Sequence, residues 1–455
     1  MATAAPVHPS LPPGPPAREG LASSLRYAAR FFFDPFTFVG GRFERYGDIY
    51  YAPAKGVGLF VLRRPDHIRE VLVTQADAFE KTHTAFERLS TVLGQGLLTT
   101  DGDVWRRHRR LLAPAFSRSA IESNVDRMTR EAEVSRDKLL GAGDKPVNVA
   151  PEMVDLTLRV VGRTLLGIDL ADEVDLVGRS MRTLQLALAV PPSLPGPVRW
   201  VAQREVERAV AGLDGVIERI IAARRARPEK GSDLLQLLLD AVDPEDERVR
   251  LSAREIRDEL VTFLLAGHET TSNTLAWAIW LISQSPDVER ELLGELDRVL
   301  GGRPVGEADV AQLTYTEQIV KESMRLYPPA YILARRAATD VRLGDYDVPR
   351  GSEVVVWIYF THHDARLYPD PEVFRPERFT KEAEAARHKQ AYLPFGAGPR
   401  ACIGRSFALV EAVVALATLY QRAVFRFAGS SPPRPRPRLT LSPSGGLPMR
   451  VVRRT

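Results

Sequence analysis

The only cysteine of the 455-residue chain, Cys402, lies in a glycine-rich run and could serve as a single thiolate ligand. A lone thiol cannot form an internal disulfide or a cysteine-cluster metal site, so Cys402 is either an inert buried residue or a solitary ligand. Gly396, Gly398 and Gly404 would let the backbone approach a large flat group and take turns closed to other residues, and Pro399 stiffens the loop. These neighbours favour an axial ligand to haem iron, a site that one cysteine can serve.

Phe395 opens this run of ten residues (FGAGPRACIG) and could shield the sulfur of Cys402 from water. The run resembles the haem-binding loop of the cytochrome P450 family, Phe-Gly-x-Gly-x-Arg-x-Cys-x-Gly, and every fixed position of that pattern is filled. The resemblance implies that Cys402 holds the iron of haem b and that Arg400 binds a haem propionate.

A second stretch that could do chemistry interrupts a long apolar helix, which we predict from residue 253 to residue 284. Such a helix would be roughly 48 Å long at 1.5 Å per residue. Gly267 and two adjacent threonines weaken the helix where apolar flanks imply burial, and such conflicts often mark functional sites. The Thr270 hydroxyl can donate to the carbonyl one turn back or give up that bond to a ligand. From the residues alone, an ordinary kinked core helix is an equal alternative.

The same stretch, AGHETT from Ala266 to Thr271, resembles the oxygen-activating motif of the family. The resemblance implies that Glu269 and Thr270 are the acid and the alcohol that deliver protons to oxygen. It also implies that Gly267 leaves space for dioxygen.

A charged pair, Glu322 and Arg325, stands at positions i and i+3 and therefore lies on one helix face. Such pairs are common and indicate little by themselves. The later segment FRPERF resembles the part of the family that sends a second arginine to this glutamate. The resemblance therefore implies a buried structural triad of Glu322, Arg325 and Arg378, which supports the haem-binding side.

Haem propionates need cationic or indole partners, and a basic helix supplies candidates. Trp105 and Arg109 are one helical turn apart, as in the Trp-x-x-x-Arg pair of the family, and Arg335 matches a further propionate-binding position. The remaining arginines of this helix are expected on the solvent-exposed, cysteine-side surface, where an acidic electron donor could dock. They are Arg106, Arg107 and Arg110.

The predicted substrate pocket is apolar, which indicates a hydrophobic small molecule such as a fatty acid, terpenoid, steroid or macrolide. Its expected lining comes from the long helix and from the segment after the Glu-Arg helix. These residues are Phe263, Ala266, Ala330, Tyr331, Ile332 and Leu333. The loop from residue 81 to residue 100 is expected to shape the distal wall.

Composition fits one large domain with a substantial core, because 44% of the residues are hydrophobic and no long linker divides the chain. The 62 basic and 58 acidic residues are too balanced to imply nucleic-acid binding. One cysteine suits a reducing cytoplasm. Residues 1–20 lack the pattern of a signal peptide and are expected to be a flexible lead-in. We therefore expect a cytoplasmic monomer without a membrane anchor, although the cluster Phe31, Phe32 and Phe33 could touch a membrane surface.

Hydrophobic periodicity predicts helices over much of the chain and a few short strands. The predicted helices span residues 21–39, 65–74, 120–140, 153–166, 201–226, 253–284, 286–300, 315–327 and 405–422. The predicted strands span residues 49–51, 59–62, 341–343 and 354–359, followed by a terminal hairpin at 439–452. The expected fold is mainly α with a small β region, and the resemblance implies the single-domain P450 fold over residues 21–455.

The resemblance implies a haem-thiolate monooxygenase that inserts one atom of dioxygen into a C–H or C=C bond and releases the other as water. No flavin or iron–sulfur signature is present, so electrons from NAD(P)H would arrive through a ferredoxin or flavodoxin with its reductase. One alternative is a haem-thiolate peroxygenase, isomerase or dehydratase, which uses no external electrons. Another is a haem sensor or carrier without catalysis.

Overall fold

The structure, a computed structural model, describes residues 11–16, 27, 29–31, 33–54, 57–81, 84–170, 173, 176–180, 183–184, 196–226, 233–241 and 250–454. Helices with described bounds are α1 (Pro35–Tyr46), α2 (Pro65–Arg69), α3 (Thr84–Leu93), α4 (Gly102–Leu112), α5 (Arg118–Glu122), α6 (Val125–Leu140), α7 (Val149–Leu165), α8 (Gly196–Ala226), α9 (Leu234–Asp240), α10 (Ala253–Ser283), α11 (Pro286–Leu300), α12 (Glu307–Val310), α13 (Thr314–Leu326), α14 (Ile358–His362), α15 (Lys381–Ala386) and α16 (Arg405–Arg422).

The strands are short and form small sheets. They are β1 (Ile49–Ala54), β2 (Val57–Leu62), β3 (Phe79–Glu80), β4 (Val147–Asn148), β5 (Leu333–Ala337), β6 (Val341–Leu343), β7 (Tyr346–Val348), β8 (Glu353–Val356), β9 (Ala423–Phe427), β10 (Pro435–Pro437), β11 (Leu441–Pro443) and β12 (Pro448–Arg453). Helix dominates the described chain, and the expected fold class is confirmed.

The described residues divide into two compact units. The first lies within residues 1–86, 330–372 and 386–402 and contains a five-stranded sheet in the order β1-β2-β8-β5-β3. Strand β2 runs parallel to β8, with Phe60 opposite Val354, and the other neighbours are antiparallel. Phe60, Leu62 and Val354 are fully buried, so this sheet forms a core of its own.

The second unit lies within residues 87–329, 373–385 and 403–455, and α10 forms its centre. Helices α7, α13 and α16 pack against α10, and α6 packs against α7 and α16. Ser252 caps α10, since its hydroxyl accepts from the backbone N–H of Glu255 while the Glu255 carboxylate accepts from the N–H of Ser252. The capping box fixes the start of the helix that carries the predicted oxygen motif.

Several predicted elements are confirmed. The helices at 286–300 and 405–422 have the predicted bounds, and α10 ends one residue before the predicted position. The predicted helix at 120–140 is instead two helices, because the side chains of Ser123 and Asn124 both donate to the carbonyl of Ala120. Those bonds occupy the acceptor that a continuous helix needs. The predicted helix at 21–39 is also interrupted, since the Asp34 carboxylate caps α1 by accepting from the N–H of Thr37.

The predicted terminal hairpin is wrong in its pairing. Strand β11 pairs with β10, and β12 pairs with β9 and β4. Gly445 and Gly446, with φ of 75° and 81°, turn the chain from one sheet to the other. The proline- and arginine-rich run before them is therefore part of a sheet. The predicted strand at 354–359 is also shorter, since Ile358 begins α14.

Residues 11–16 are described within the expected lead-in, and the N–H of Tyr51 donates to the carbonyl of Pro13 at 3.1 Å. Phe32 lies outside the described residues, and the Phe31 and Phe33 side chains are exposed. Among the helices that the structure describes, none is both long and apolar enough to cross a bilayer.

Candidate active site

Residues 395–402 of the loop belong to the first unit, and the Cys402 side chain is exposed. Gly396 and Gly398 take φ of 67° and 72°, a backbone region that favours glycine. The backbone N–H of Cys402 donates to the carbonyl of Phe395 at 2.9 Å, which closes the loop. The Cys402 side chain is not buried among the described residues, and its role as the iron ligand stays a prediction.

Two glycines of this loop have structural roles that the sequence did not indicate. A Cβ on Gly398 would lie 1.7 Å from the carbonyl oxygen of Leu72, so this glycine permits close packing against the first unit's own backbone. Gly404 has an ordinary φ of −85° and precedes α16 as its cap residue. The expectation that Gly404 takes a turn closed to other residues is therefore wrong.

The first unit also holds two arginines whose pKa burial lowers. Arg335 lies in β5 with 6% of its surface exposed, and its guanidinium donates to the carbonyl of Ala334 at 2.8 Å. Among the described residues Arg335 has no carboxylate partner, and burial lowers its pKa to about 10. Burial also lowers the pKa of Arg400 to about 10. Both remain cationic near neutral pH, and the buried cation Arg335 fits a propionate.

Helix α4 carries the predicted indole and guanidinium pair in the second unit. Trp105 is buried, and the Arg109 guanidinium carbon lies 5.8 Å from the centre of its ring. That distance is within the range of a cation–π contact. Arg106 is exposed and pairs with Asp103 at 2.6 Å, whereas Arg107 lies 3.5 Å from Glu255 of α10. Arg107 therefore differs from the expected outward-facing arginine.

A buried histidine on the same helix was missed by the sequence reasoning. The Nδ1 atom of His108 lies 2.7 Å from Oε1 of Glu259, and its Nε2 atom lies 3.4 Å from Oε1 of Glu255. Burial lowers the pKa of His108, but Glu259 and Glu255 raise it by more. The pair ties α4 to α10. The four-residue spacing of Glu255 and Glu259 places both carboxylates on one face of α10, and this spacing was the sequence pattern that could have indicated the contact.

The polar stretch of α10 keeps regular helical hydrogen bonds. The Thr270 hydroxyl donates to the carbonyl of Ala266 at 2.8 Å, which is the local bond that the sequence suggested. Ala266 is exposed, and Gly267 and Thr270 are half-buried, while the preceding Leu265 is buried. The stretch thus has one less buried face, on which Thr270 is the polar side chain.

Gly267 has a packing role in addition to the predicted one. A Cβ at this position would lie 2.9 Å from a methyl group of Val161 in α7. Any larger residue would therefore separate α10 from α7 or displace Val161. Space for dioxygen beside Gly267 stays a prediction.

The two residues that precede the motif threonine are both buried. The Nδ1–H of His268 donates to the carbonyl of Leu264, and burial lowers the pKa of His268, so its ring is neutral near pH 7. Glu269 contacts a residue near the C-terminus, since its Oε1 atom accepts from the hydroxyl of Thr440. Thr440 was not predicted from the sequence, because a contact between residues 171 positions apart leaves no local pattern.

The three predicted triad residues come together inside the second unit. Glu322 and Arg325 are fully buried and joined by two hydrogen bonds of 2.7 and 2.8 Å. The Nε atom of Arg378 lies 3.4 Å from Oε1 of Glu322, which also accepts from the backbone N–H of Arg375 at 3.1 Å. A carboxylate with this many donors is stabilised in the interior only while they remain in place.

The predicted pocket residues fall in both units. In the second, Phe263 is buried and stacks on Phe116, with ring centres 5.4 Å apart. In the first, Tyr331 and Ile332 pack against a cluster that includes Trp357. Leu333 is the first residue of β5, and Ala330 directly precedes Tyr331. Leu333 and Ala330 are both half-buried. Their role as substrate lining stays a prediction.

The expected distal loop at 81–100 contains a helix, α3, and its end is fixed to α10. The backbone N–H of Gln95 donates to Oδ2 of Asp258 at 2.7 Å. Gly94, with φ of 71°, allows this approach, because a Cβ there would lie 2.1 Å from the Asp258 carboxyl group.

These residues fit haem. The thiol of Cys402 is a soft ligand for the iron, and the buried Arg335 and the half-buried Arg400 in the first unit are cations suited to propionates. Trp105 and Arg109 offer a further indole and guanidinium in the second unit. Among the described residues no cluster of three His, Cys, Asp or Glu side chains could hold another metal.

Comparison with known proteins gives a consistent result. The family model described as Cytochrome P450 matches residues 14–448. The chain is 34% identical over 396 residues to cyclooctatin synthase of Streptomyces melanosporofaciens, covering 85% of this chain and 84% of that protein. It is 33% identical to putative cytochrome P450 132 of Mycobacterium tuberculosis, covering 95% and 96%. It is also 33% identical to cyclooctat-9-en-7-ol 5-monooxygenase of Streptomyces melanosporofaciens, covering 79% and 78%.

A solved structure is similar over nearly the whole chain. The crystal structure of the cytochrome P450DA heme domain superposes with a TM-score of 0.87 at 28% sequence identity, covering 98% of both chains.

Proposed function

The chain belongs to the cytochrome P450 family and is a haem b monooxygenase, and we propose that it hydroxylates or epoxidises a hydrophobic small molecule with electrons from a separate redox partner. When bound, haem b activates dioxygen so that one oxygen atom enters a C–H or C=C bond and the other leaves as water. The chain's own residues hold the cofactor, move protons and select the substrate.

The observation that carries this proposal is the closed loop that holds Cys402, the single cysteine of the chain, with Gly396 and Gly398 at positive φ. A thiolate is the ligand that favours oxygen-bond cleavage in this class of haem enzyme. The backbone of this loop is held closed, because the N–H of Cys402 donates to the carbonyl of Phe395. Arg335 and Arg400 supply the charge that two propionates need.

Thr270 and Glu269 are proposed to supply protons. The Thr270 hydroxyl already donates to the carbonyl of Ala266, and this local bond can be exchanged for one to a reacting oxygen atom without unfolding the helix. The Glu269 carboxyl group has a different partner, because it accepts from the hydroxyl of Thr440. The two residues can therefore pass protons from the protein to the reacting oxygen. Their presence favours dioxygen over peroxide as the oxidant.

The substrate is proposed to be an unsaturated apolar alcohol or a similar compound. One relative is named as acting on cyclooctat-9-en-7-ol, a name that specifies a double bond and a hydroxyl group, and another is named cyclooctatin synthase. The stacked rings of Phe263 and Phe116 offer apolar surface in the second unit. Such a surface suits the carbon skeleton of that compound.

Electrons are proposed to come from a ferredoxin or flavodoxin with its reductase. An iron–sulfur cluster takes four protein ligands that are usually cysteines, and these 455 residues contain one. The cluster must therefore lie outside these residues.

The test uses purified haem-loaded protein with cyclooctat-9-en-7-ol and lauric acid as probes. We expect cyclooctat-9-en-7-ol to shift the haem absorption band at lower concentration than lauric acid. With NADPH, a ferredoxin, its reductase and isotopically labelled dioxygen, the product should contain one labelled oxygen atom. Product formed from hydrogen peroxide alone, without dependence on NADPH, would instead identify a peroxygenase.

A further inference from the structure

A polar stripe on α10 contacts the turn between β10 and β11. Glu269, Asn273 and Trp277 are spaced by four residues and so lie on one helix face. The Asn273 amide donates to the hydroxyl of Thr440 at 2.9 Å, and the Trp277 indole N–H donates to the carbonyl of Leu441 at 3.1 Å. The stripe therefore begins at the motif acid and follows the turn.

The Thr440 hydroxyl has one proton, and its direction is determined by its two partners. Because Asn273 donates to the hydroxyl oxygen, the hydroxyl proton is available for Oε1 of Glu269, at 2.5 Å. Glu269, Asn273 and Thr440 are 8%, 9% and 7% exposed. Buried polar groups of this kind have a defined orientation, because an alternative arrangement would leave a donor unsatisfied.

The turn that carries Thr440 is itself held in place. The backbone N–H of Leu441 donates to the carbonyl of Pro329 at 3.0 Å, and the N–H of Arg438 donates to the carbonyl of Thr440 at 3.2 Å. Trp277 also stacks on Tyr327, with ring centres 3.8 Å apart. Thr440 is thus a donor in a fixed position, and its hydrogen bond holds the Glu269 carboxyl group next to the β10–β11 turn.

The same turn leads from the buried acid toward solvent. Arg438 is half-buried, and Arg436 is exposed. Burial and Arg436 lower the pKa of Arg438, whereas the carboxylate of Glu269 raises it, so Arg438 and Glu269 interact electrostatically. His268 offers no comparable route, because it is buried with its Nδ1–H on the carbonyl of Leu264.

We propose that Thr440 is a positioning residue for Glu269 and that the β10–β11 turn is where protons enter from solvent. This inference rests on the proposed monooxygenase function. With its carboxyl group on Thr440, the Glu269 carboxylate takes one proton from a solvent hydronium ion at the Arg438 side, which leaves a water molecule. When the hydrogen bond to Thr440 breaks, Glu269 gives that one proton toward Thr270. The step moves a proton and transfers no electron.

The first test measures the coupling of Thr440 to Glu269 without catalysis. The urea midpoint of the haem-loaded protein is measured for the parent, Thr440→Val, Glu269→Gln and the double variant. We expect Glu269→Gln to shift the midpoint about half as much in Thr440→Val as in the parent, because the shared hydrogen bond is already lost. Fully additive shifts would overturn the contact.

The second test measures proton delivery. With NADPH, a ferredoxin and its reductase, and with cyclooctat-9-en-7-ol as probe, Thr440→Val should form about threefold less product per NADPH and more peroxide. Its solvent isotope effect should rise, while the probe-induced absorption shift stays at the parent's concentration dependence. Thr440→Ser, which restores the hydroxyl, should recover the parent's product yield.

Thr129→Val is the matched control, since Thr129 is also a buried threonine, and its hydroxyl donates to the carbonyl of Val305 at 2.9 Å. Its product yield should equal that of the parent. Asn273→Leu gives a second variant, with the same direction of change, should Thr440→Val fold poorly. Parental coupling in Thr440→Val and Asn273→Leu, or equal loss in Thr129→Val, would overturn the inference. If the parent itself forms no product with NADPH, the proposed function fails instead.

Discussion

Nδ1 of His108 lies 2.7 Å from Oε1 of Glu259, and both side chains are buried. The contact joins α4, which carries Trp105 and Arg109, to α10, which carries the oxygen motif. The helix of a predicted propionate partner and the helix of a predicted proton donor are thus joined directly in the second unit. The contact that joins them lies outside the family motifs.

The His108 pair makes stability depend on pH. Burial lowers the pKa of His108, but Glu259 and Glu255 raise it by more, so the fold favours the charged ring. Its contribution is fully present below the unfolded pKa of about 6.5 and is lost as pH rises through the higher folded pKa. We expect the free energy of unfolding to fall above about pH 6.5 in the parent and to fall less in His108→Gln.

His67 provides the opposite case as a control, because burial lowers its pKa in spite of Glu70. Its neutral form is favoured in the fold, so stability should be lost as pH falls below about 6.5 and His67→Gln should lessen that loss. The same dependence on pH in His108→Gln and the parent would refute the role of the His108 pair.

Glu322 is expected to be required for a haem-loaded fold. Glu322→Ala or Arg325→Ala leaves a buried charge without its partner, at a cost of about 3–5 kcal/mol. Both variants should yield little haem-loaded protein and a lower melting temperature. Asp287→Ala breaks the exposed i,i+3 pair with Arg290 and should have almost no effect. Normal haem content in both triad variants would show that the buried pair is dispensable.

The sequence predicted local features well and long-range contacts poorly. The loop of Cys402, the start of α10 at Ala253 and the pair of Glu322 with Arg325 are encoded within a few residues. The chain passes from one sheet to another at Gly445, and Thr440 contacts Glu269. Both features depend on packing between distant segments. No periodicity within a single segment records such contacts.

The glycines show the same limit. Gly267 and Gly398 were interpreted from chemistry, and the structure adds packing against Val161 and Leu72. A glycine in a sequence reports that a side chain is not tolerated, and the neighbour that excludes it becomes known only from the fold.

Thr270 is expected to couple electron use to product. Thr270→Ala removes the hydroxyl that donates to Ala266 and should lower product formed per NADPH about fivefold, with release of peroxide, because proton delivery is disordered. Haem content and probe binding should stay unchanged. Thr164→Ala is the matched control, since its hydroxyl also donates to a carbonyl four residues back, that of Val160. Equal product yield in Thr270→Ala and the parent would remove Thr270 from the mechanism.

The exposed arginines of α4 are expected to attract an acidic electron donor. Arg107 lies against Glu255, so the sharper test reverses Arg106 and Arg110 and leaves Arg107 in place. We expect Arg106→Glu with Arg110→Glu to slow reduction by an acidic ferredoxin about tenfold at low ionic strength and less at high salt.

The matched control reverses Arg208 and Arg290, which are exposed and each pair with an acid three residues away, as Arg106 does. This control should be reduced at the parent's rate. If both double variants behave alike, the donor docks elsewhere and net charge alone sets the rate.

The measurement that tests the central claim is the absorption spectrum of the reduced carbon monoxide complex in Cys402→Ser. Thiolate ligation by Cys402 predicts a red-shifted band in the parent and its loss in this variant, since no other thiol exists in the chain. Ala401→Ser adds a hydroxyl to the same loop and keeps the thiol, so it should retain the band. A normal red-shifted band in Cys402→Ser would contradict the assignment of Cys402 and the function built on it.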